Sequence, residues 1–393
     1  MRQVLVLDGE HRAALAVIRS LGRAGYEVHV ASSVTSSLAG GSRYARSETV
    51  VPDLFAERQG YVDAVVMRVQ KLAAGVVVPL TDASLLTLLP FRRRLAPAMI
   101  PFPAVDAYRR LSDKAIVAAS APAAGIAVPS QMILRSPPSV RQFEDVVFPT
   151  VIKPSLSVIG DGPERRKMGV LHAADSHELQ ARLREIPLDA YPLLIQQRIV
   201  GPGVGIFLLE WNGELIASFA HRRIREKPPA GGVSVYRESI PADPALVARS
   251  RALLKTLGWE GVAMVEYKVD AATNVPYLME VNCRFWGSLQ LAVDAGVDFP
   301  RLLLAAAAGD RPRPVTDYRV GVRSRWWWGD VDHLLARLRR SAKELALPPG
   351  APTRWREVLD FLTLWRPGDR SEVLRLEDPW PFVRETVNWF RGR

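Results

Sequence analysis

Residues 261–300 read GVAMVEYKVDAATNVPYLMEVNCRFWGSLQLAVDAGVDFP, and they predict two adjacent strands that carry acids. Glu280 and Asn282 are two residues apart, so on a strand their side chains point to the same face. A hairpin turn within residues 271–274 would bring Glu266, on the preceding strand, beside them. Two carboxylates and an amide oxygen are hard ligands of the kind that Mg²⁺ binds together with water and phosphate oxygens. The pattern therefore predicts a magnesium nucleotide site; the alternative is an edge hairpin whose acids face water.

The residues that follow carry a family resemblance. The run Glu280, Asn282 and Arg284 precedes Gly287–Ser288 and then an A-x-x-x-G-x-D-F-P pattern ending at Pro300. This combination resembles the metal-binding end of ATP-grasp enzymes. The resemblance implies an α/β protein (α+β ATP-grasp) with a two-lobed core that uses ATP and one or two Mg²⁺ ions, with Mn²⁺ as an alternative. It also implies that the metal ligands are Glu266, Glu280 and Asn282 and that Arg284 faces an acyl phosphate oxygen.

The N-terminal stretch predicts a small Rossmann-like domain before that core. Residues 1–9 read as a buried strand ending in a turn, residues 13–24 as a helix and residues 27–31 as a second strand. No G-x-G-x-x-G follows the first strand, so a dinucleotide site is not predicted. Thr81 and Asp82 end a further strand, at an edge where open α/β sheets bind ligands. The predicted domains are 1–111 (pre-ATP-grasp Rossmann-like), 112–192 (small lobe), 193–310 (large lobe with the metal site) and 311–393 (Trp-rich, mostly helical C-terminal extension).

Two lysines match the phosphate-binding positions of the family. Lys114 follows Ser112–Asp113 at the predicted start of a helix, and Lys153 ends the β-rich run FPTVIKP at 148–154. On its own, a lysine at a strand end is more often a snorkelling side chain than a ligand. The chain order of the two lysines followed by the two glutamates and the asparagine favours phosphate binding.

Residues 193–201 resemble the hinge strand that holds adenine in the family. The resemblance implies that Gln197 offers its side chain to the exocyclic amine and that Ile199 offers backbone groups to the purine. The family's G-E-x-x-S/D is replaced by GPGVG at 201–205, so the acid that would hold the ribose is absent from its expected place.

The loop at 155–168 is poorer in glycine than its counterparts in the family. Backbone N–H groups of such loops close over phosphates. Here Arg165, Arg166 or Lys167 would supply positive charge if the loop closes; a solvated basic loop is the alternative.

A basic strand with the sequence HRRIREKPPAGGVS occupies residues 221–234. If the strand continues without interruption, His221, Arg223 and Arg225 share one face. Cations in a row repel each other unless anions lie among them, so we predict contacts with a triphosphate, an acyl phosphate or a carboxylate. The pattern resembles predicted carboxylate–amine ligases that are often linked with cell-surface glycan or peptide assembly; an exposed basic hairpin is the alternative. Further cofactor-binding residues predicted here are Gly231 and Gly232, which permit a close approach to a ligand, and Ser234.

Composition narrows the class of protein. Lys and Arg number 52 against 41 Asp and Glu, a net charge of +11, but the excess forms no basic tract with interleaved aromatics. We therefore expect no nucleic-acid partner, and polyanionic substrates or an anionic membrane face suit the charge. No run of eighteen apolar residues and no signal-peptide pattern occurs, which predicts a cytoplasmic location. Cys283 is the only cysteine, so neither an internal disulfide nor a cysteine metal cluster is expected.

The C-terminal part differs in character, because seven of the ten tryptophans follow residue 310, including Trp326–Trp328. Two helices are predicted there, at about 331–345 and 355–364. Tryptophans at this density predict a cap packed on the core. Peripheral membrane contact beside Arg337, Arg339 and Arg340 is the alternative, and a homodimer is left open.

The function that the resemblance implies is an ATP-dependent carboxylate–amine ligase. ATP would phosphorylate a substrate carboxylate, and an amine acceptor would displace phosphate from the acyl phosphate to form an amide, with release of ADP and phosphate. Arg223 and Arg225 would be further anion contacts. Two alternatives remain: an ATP-grasp enzyme that passes the acyl phosphate to a thiol or hydroxyl, and a non-catalytic nucleotide-binding regulatory protein.

Overall fold

The computed structural model describes residues 3–137, 143–160, 166–348, 350–364 and 366–392. The N-terminal domain at its start contains a parallel sheet. Its elements are β1 (Gln3–Val6), α1 (Arg12–Arg23), β2 (Glu27–Ser32), β3 (Ala45–Val50), α2 (Arg58–Leu72), β4 (Val76–Val78) and α3 (Asp82–Leu88), with 3₁₀ turns at Ala39–Gly41 and Leu89–Leu95. The strand order is β3-β2-β1-β4. Val4, Leu5 and Val6 are fully buried, as is typical of a parallel strand covered on both faces. The predicted N-terminal strand–helix–strand is confirmed.

Two short helices, α4 (Val105–Ser112) and α5 (Lys114–Ser120), lead to an antiparallel sheet. Asp113 caps α5, because its side chain accepts from the backbone N–H groups of Ala115 and Ile116. The small lobe that follows contains β5 (Gln131–Leu134), β6 (Thr150–Pro154), β9 (Leu171–Ala173), α6 (Ser176–Glu185) and β10 (Leu193–Gln197), a two-stranded ribbon of β7 (Val158–Ile159) and β8 (Arg166–Lys167), and 3₁₀ turns at Ala121–Ala124 and Leu188–Ala190. Its sheet order is β5-β10-β6-β9.

A larger sheet of seven strands forms the second lobe. Its elements are β11 (Gly203–Trp211), β12 (Glu214–Lys227), β13 (Val233–Ser239), α7 (Pro244–Thr256), β14 (Gly261–Val269), β15 (Pro276–Asn282), α8 (Leu289–Ala295), α9 (Phe299–Ala307), β16 (Arg323–Arg325), α10 (Trp327–Arg339), α11 (Arg354–Leu362), β17 (Asp369–Ser371) and α12 (Trp380–Phe390). The order is β15-β14-β11-β12-β13-β16-β17, so two strands of the C-terminal part extend this sheet. Helices α10 and α11 lie close to the two predicted helices, whereas α12 was not predicted.

Residues 369–378, here called the strap, connect the large sheet to the N-terminal domain. Asp378 is fully buried and accepts a hydrogen bond of 2.8 Å from Nε of the buried Arg19 on α1. Glu372 lies 2.5 Å from Arg12 of α1 and 2.5 Å from Arg237 of β13. One carboxylate of the strap therefore contacts both parts of the protein.

The tryptophan triplet packs against α12 and against α1 of the N-terminal domain. The Trp326 indole donates to Glu385 at 2.7 Å, and the guanidinium of Arg12 lies 3.8 Å from a Trp326 ring centroid. Trp328 stacks on Trp389 of α12 with ring centroids 4.3 Å apart. These contacts favour the predicted cap over a lipid-facing triplet.

Buried apolar side chains form two clusters. One cluster runs through the N-terminal sheet and the large sheet, and the other lies within the small lobe between its sheet and α6. The small lobe therefore has its own core, and the cleft lies where its sheet meets the large one. Within the described ranges, no helix has both the length and the apolar character needed to cross a membrane.

Candidate active site

The acid-bearing hairpin lies in the cleft between the two lobes. Strands β14 and β15 pair antiparallel, with Glu266 directly opposite Glu280. Asn282 is two residues further along, and its amide nitrogen donates to Glu280 Oε1 at 3.0 Å. The predicted hairpin is confirmed; the use of these three residues as metal ligands stays a prediction.

Two lysines from outside the large sheet converge on this hairpin. Nζ of Lys153, at the end of β6, donates to the carbonyl oxygen of Met279 at 3.1 Å. Nζ of Lys114, at the start of α5, lies 3.7 Å from Glu280 Oε2 and donates to Ser157 Oγ at 2.8 Å. The structure thus brings together the two predicted phosphate-binding lysines and the predicted metal ligands.

Burial and neighbouring charges shift the pKa values of Lys153, Glu266 and Glu280. Burial lowers the pKa of Lys153 to about 8; Lys114 adds to this shift, and the nearby glutamates oppose it. Burial raises the pKa of Glu266, and the charge of Glu280 raises it further, although Arg223 acts against both. Burial also raises the pKa of Glu280. Lys114, the Asn282 hydrogen bond and the other nearby cations outweigh this effect, so the pKa of Glu280 is lowered. A cation placed between the two carboxylates would relieve the repulsion that raises the pKa of Glu266.

Arg284 is fixed by an acid from the N-terminal domain. Its Nε donates to Asp82 Oδ2 at 2.9 Å, and its Nη2 donates to Asn282 Oδ1 at 3.1 Å. Asp82 also accepts from the Tyr108 hydroxyl at 2.5 Å. Asp82 was predicted only to face the ligand-binding edge of the N-terminal sheet; its pairing with Arg284 spans 202 residues and leaves no sequence signal.

Arg223 belongs to the same cluster. Its Nη2 lies 2.5 Å from Glu266 Oε2, and its Nη1 donates to Glu226 Oε1 at 2.7 Å and to the Gly232 carbonyl oxygen at 3.0 Å. Gly231 and Gly232 form the turn between β12 and β13, so this turn lies beside the cleft. The Ser234 hydroxyl lies 3.5 Å from the Tyr236 carbonyl oxygen, within its own strand.

Arg225 does not join this cluster. The pairing of β12 with β13 shifts between Arg223 and Arg225, where Arg223 lies opposite Arg237 but Arg225 lies opposite Tyr236. The bulge turns Arg225 to the other face of the sheet. There it is buried, and its Nε and Nη2 donate to Asp330 of α10, at 2.6 and 2.5 Å. The predicted shared face of His221, Arg223 and Arg225 is wrong for Arg225, which holds the C-terminal part instead of facing the cleft.

The hinge strand β10 presents Gln196, not Gln197, on the face of Lys153. Lys153 lies opposite Leu194, and side chains alternate along a strand, so Gln196 shares that face while Gln197 points to the opposite one. The Gln196 amide donates to Gln131 Oε1 at 2.9 Å. The structure therefore contradicts a side-chain role for Gln197 in the cleft. Ile199 follows the strand, and its backbone contact to a purine stays a prediction.

Two glycines that follow the hinge lie close to neighbouring side chains. A Cβ at Gly203 would lie 2.8 Å from Cδ of Arg223, and a Cβ at Gly205 would lie 2.6 Å from the Phe207 ring. Side chains at these two positions would collide with their neighbours, so Gly203 and Gly205 offer only their backbone.

The loop after Lys153 is described in part. Ser155 and Ser157 contact the start of α5: the Ser155 carbonyl oxygen accepts from the Lys114 N–H at 2.9 Å, and Ser157 accepts from the Lys114 side chain. Arg166 lies 2.7 Å from Asp189. Arg165 and the side chain of Lys167 lie outside the described residues, so the predicted role of this loop over phosphates stays a prediction.

The donor set fits Mg²⁺ bound together with a nucleotide. Two partly buried carboxylates face each other, and an amide oxygen lies beside them, which leaves further positions for water and phosphate oxygens. In the part of the chain that the structure describes, no group of three or more His, Cys, Asp and Glu side chains could hold a metal ion.

Fold comparison places the chain among ATP-grasp structures. It is similar to an L-amino acid ligase from Bacillus licheniformis, with a TM-score of 0.62 at 18% identity over 79% of this chain and 75% of that one. It is also similar to N5-carboxyaminoimidazole synthetase from Staphylococcus aureus complexed with ADP, with a TM-score of 0.61 at 14% identity over 82% of this chain and 80% of that one. The biotin carboxylase domain of the Hydrogenobacter thermophilus 2-oxoglutarate carboxylase, in complex with MgADP, ADP and bicarbonate, gives a TM-score of 0.61 at 19% identity over 82% and 73%.

The chain has the ATP-grasp fold, as the sequence resemblance implied. More narrowly, residues 189–327 match a family model described as ATP-grasp in the biosynthetic pathway with Ter operon. The matched segment contains the hinge strand, the basic strand and the acid-bearing hairpin. A comparison with curated proteins found no match.

Proposed function

We propose that this protein is an ADP-forming ligase that joins a carboxylate to an amine through an acyl phosphate. One observation carries the proposal: the two facing carboxylates Glu266 and Glu280 share a cleft with Lys114, Lys153 and cationic guanidinium groups from both sides. Such a site suits the transfer of a phosphoryl group, because catalysis of that step depends on positioning the phosphates and neutralising their charge.

In the first step, a carboxylate oxygen of the substrate attacks the γ-phosphorus of ATP, and the bond from that phosphorus to the ADP oxygen breaks. Bound Mg²⁺ would supply charge neutralisation between the phosphates and the protein's carboxylates. Lys114 and Lys153 would bind phosphate oxygens from the small-lobe side. Arg284 would bind the carboxylate oxygen, and its hydrogen bond to Asp82 would orient its guanidinium group. Arg223 would be a further anion contact.

In the second step, the amine nitrogen attacks the acyl carbon and phosphate leaves with the carbon–oxygen bonding pair. The amine loses a proton in this step, which the departing phosphate can accept. The substrates of the structural relatives differ, so the acceptor is inferred from the sequence resemblance to carboxylate–amine ligases. Transfer to a thiol or hydroxyl is the alternative for this step.

The intermediate can be trapped. We expect ADP and phosphate to appear in equal amounts only when a suitable carboxylate is present, and we expect hydroxylamine to convert the acyl phosphate to a hydroxamate. Coloured ferric hydroxamate and coupled ADP release measure the two products. Formation of AMP and pyrophosphate would show adenylation, and nucleotide binding with no turnover on any carboxylate of a broad panel would favour the regulatory alternative.

Protonation of Lys153 gives a second test. Its pKa of about 8 in the free protein lies below the ordinary value of 10.5 because the side chain is buried. Phosphate oxygens favour the charged form and raise this pKa, so above about pH 8 binding of MgATP should take up a proton, and affinity should fall as pH rises. Calorimetry at about pH 9 in buffers of different ionisation enthalpy measures the uptake. Lys153→Met should abolish it; equal uptake by this variant would assign the proton to another group.

Some predictions stay open within this proposal. The biotin carboxylase domain among the structural relatives is described as a dimer, and a homodimer stays a prediction for this chain. A cytoplasmic location and the use of Mn²⁺ in place of Mg²⁺ likewise stay predictions.

A further inference from the structure

Helix α11 carries an exposed apolar stripe on the surface of the C-terminal part. Trp355 is 71% exposed, Leu359 46% and Leu362 60%. These residues follow one another at intervals of four and three, so their side chains lie on one face of the helix. Single apolar residues on a surface are ordinary, whereas a continuous exposed stripe is typical of a contact surface.

The opposite face of α11 packs on α10. Glu357 is buried, and its carboxylate lies 3.4 Å from Nε2 of His333 and 3.4 Å from Nε of Arg337, both on α10. Glu357 is two residues from Trp355 and two from Leu359, which places it on the other side of a helix with 3.6 residues per turn. The stripe therefore points away from the protein and into solvent.

Positive charge surrounds the start of the stripe. Arg354 and Arg356 are exposed and lie on either side of Trp355 around the helix. Nη2 of Arg354 donates to the carbonyl oxygen of Arg340 at 2.8 Å, so the end of α10 lies beside this part of α11. The exposed cations at this end are Arg339, Arg340, Lys343, Arg354 and Arg356, and the neighbouring acids are Glu344 and Asp360. Cations therefore outnumber acids around Trp355.

This combination of charge and apolar surface distinguishes between the possible occupants. A second copy of the chain would bring the same excess of cations to the contact, and the two copies would repel each other. An anionic lipid surface offers headgroup phosphates to the arginines and an apolar boundary to the stripe. Tryptophan is also the residue type that prefers the headgroup level of a bilayer.

We propose that α11 binds the protein to an anionic lipid surface. Trp355, Leu359 and Leu362 enter the boundary between headgroups and acyl chains, and the surrounding cations contact the phosphates. The contact is peripheral, because the helix lies along the surface and does not cross it. The tryptophan triplet takes no part, since Trp326 and Trp328 pack against other elements. This inference does not depend on the reaction proposed above.

Helix α12 provides a matched control, because it also exposes a tryptophan, Trp380, to 64%. It contacts α10 through Trp328 and Asp332. Helix α11 contacts α10 through His333 and Arg337 instead. The two pairs are about 140° apart around α10, so α11 and α12 lie on different sides of it. One flat lipid surface at α11 should therefore not reach Trp380.

Co-sedimentation of the full chain with vesicles tests the proposal. The probes are phosphatidylcholine vesicles with about 30 mol% phosphatidylglycerol and vesicles of phosphatidylcholine alone. We expect at least about tenfold stronger binding to the anionic vesicles, and we expect it to weaken as salt is added, because salt screens the headgroup charge. Trp355→Ser, and separately Arg354→Gln combined with Arg356→Gln, should each weaken binding about tenfold. Trp380→Ser should bind as the wild type does.

Three results would overturn the inference: no binding to anionic vesicles, equal binding to both kinds of vesicle, or an equal loss in Trp355→Ser and Trp380→Ser. Light scattering in solution tests the other occupant, since a dimer that Trp355→Ser converts to a monomer would assign the stripe to a second copy. Urea unfolding checks that the variants stay folded. The arginine variant decides the matter independently if Trp355→Ser lowers stability, because both arginines are exposed.

Discussion

Glu280→Gln is expected to lower kcat by at least about a hundredfold, the largest effect on activity expected of any single substitution in the cleft. The carboxylate faces Glu266 and is surrounded by Lys114 and by the amide of Asn282. The neutral amide keeps the size of the side chain but cannot offset the charge of a metal bound with the triphosphate. Coupled ADP release measures turnover, and calorimetry with and without Mg²⁺ measures nucleotide affinity.

Glu210→Gln is the matched control for this substitution. Glu210 is a buried glutamate of the same sheet, but it pairs with Arg251 of α7, away from the cleft, at 2.5 Å. This variant should keep wild-type turnover. If Glu280→Gln retained more than about half of the activity, the metal-ligand assignment would be wrong, since no charge-neutral replacement should support phosphoryl transfer at that position.

Local alternation explains why the acid-bearing hairpin could be predicted. Glu280 and Asn282 are two residues apart, and the turn that brings Glu266 opposite Glu280 lies within a short segment of sequence. The same reasoning placed Lys153 at a strand end. These predictions depend on interactions between neighbours in the chain, and the structure brings all of these residues into one cleft.

The alternation of side chains along a strand no longer predicts the face of a residue once a bulge interrupts the strand. A bulge after Arg223 reverses the face of Arg225, and nothing in the sequence HRRIREK marks the extra residue. The choice between Gln196 and Gln197 depends on pairing with Lys153's strand, which a single strand does not reveal. Errors of one residue in register therefore moved two predicted contacts to the wrong face.

Contacts between segments that lie far apart in the chain could not be predicted from the sequence. The strap joins α1 to the large sheet through pairs such as Arg19 with Asp378, which are 359 residues apart. Helix α12 was missed because its exposed face includes Trp380, Val383, Val387 and Phe390, which removes the usual contrast between an apolar and a polar face. The predicted boundary at residue 310 likewise gave no sign that β16 and β17 extend the sheet of the core.

Asp330→Asn is expected to lower the free energy of unfolding by about 3–5 kcal/mol, the largest effect on stability among these predictions. Asp330 is fully buried and accepts from Nε of Arg225 at 2.6 Å and from Nε of Arg325 at 2.6 Å. Removing its charge leaves two guanidinium groups, both largely buried, without a counter-ion. Urea unfolding followed by tryptophan emission measures the loss, because Trp327 packs on Arg325 at 4.1 Å.

Two comparisons separate the loss of charge from a general weakness of α10. Asp332→Asn, on the same helix, alters a more exposed pair with Lys227 and should cost less than about 1 kcal/mol. Combining Asp330→Leu with Arg225→Met and Arg325→Met removes all three charges and should recover much of the stability, since apolar replacement of a buried ionic cluster is often neutral or better. Equal losses in the Asp330 and Asp332 variants, or no recovery in the triple variant, would show that Asp330 holds the C-terminal part by packing alone.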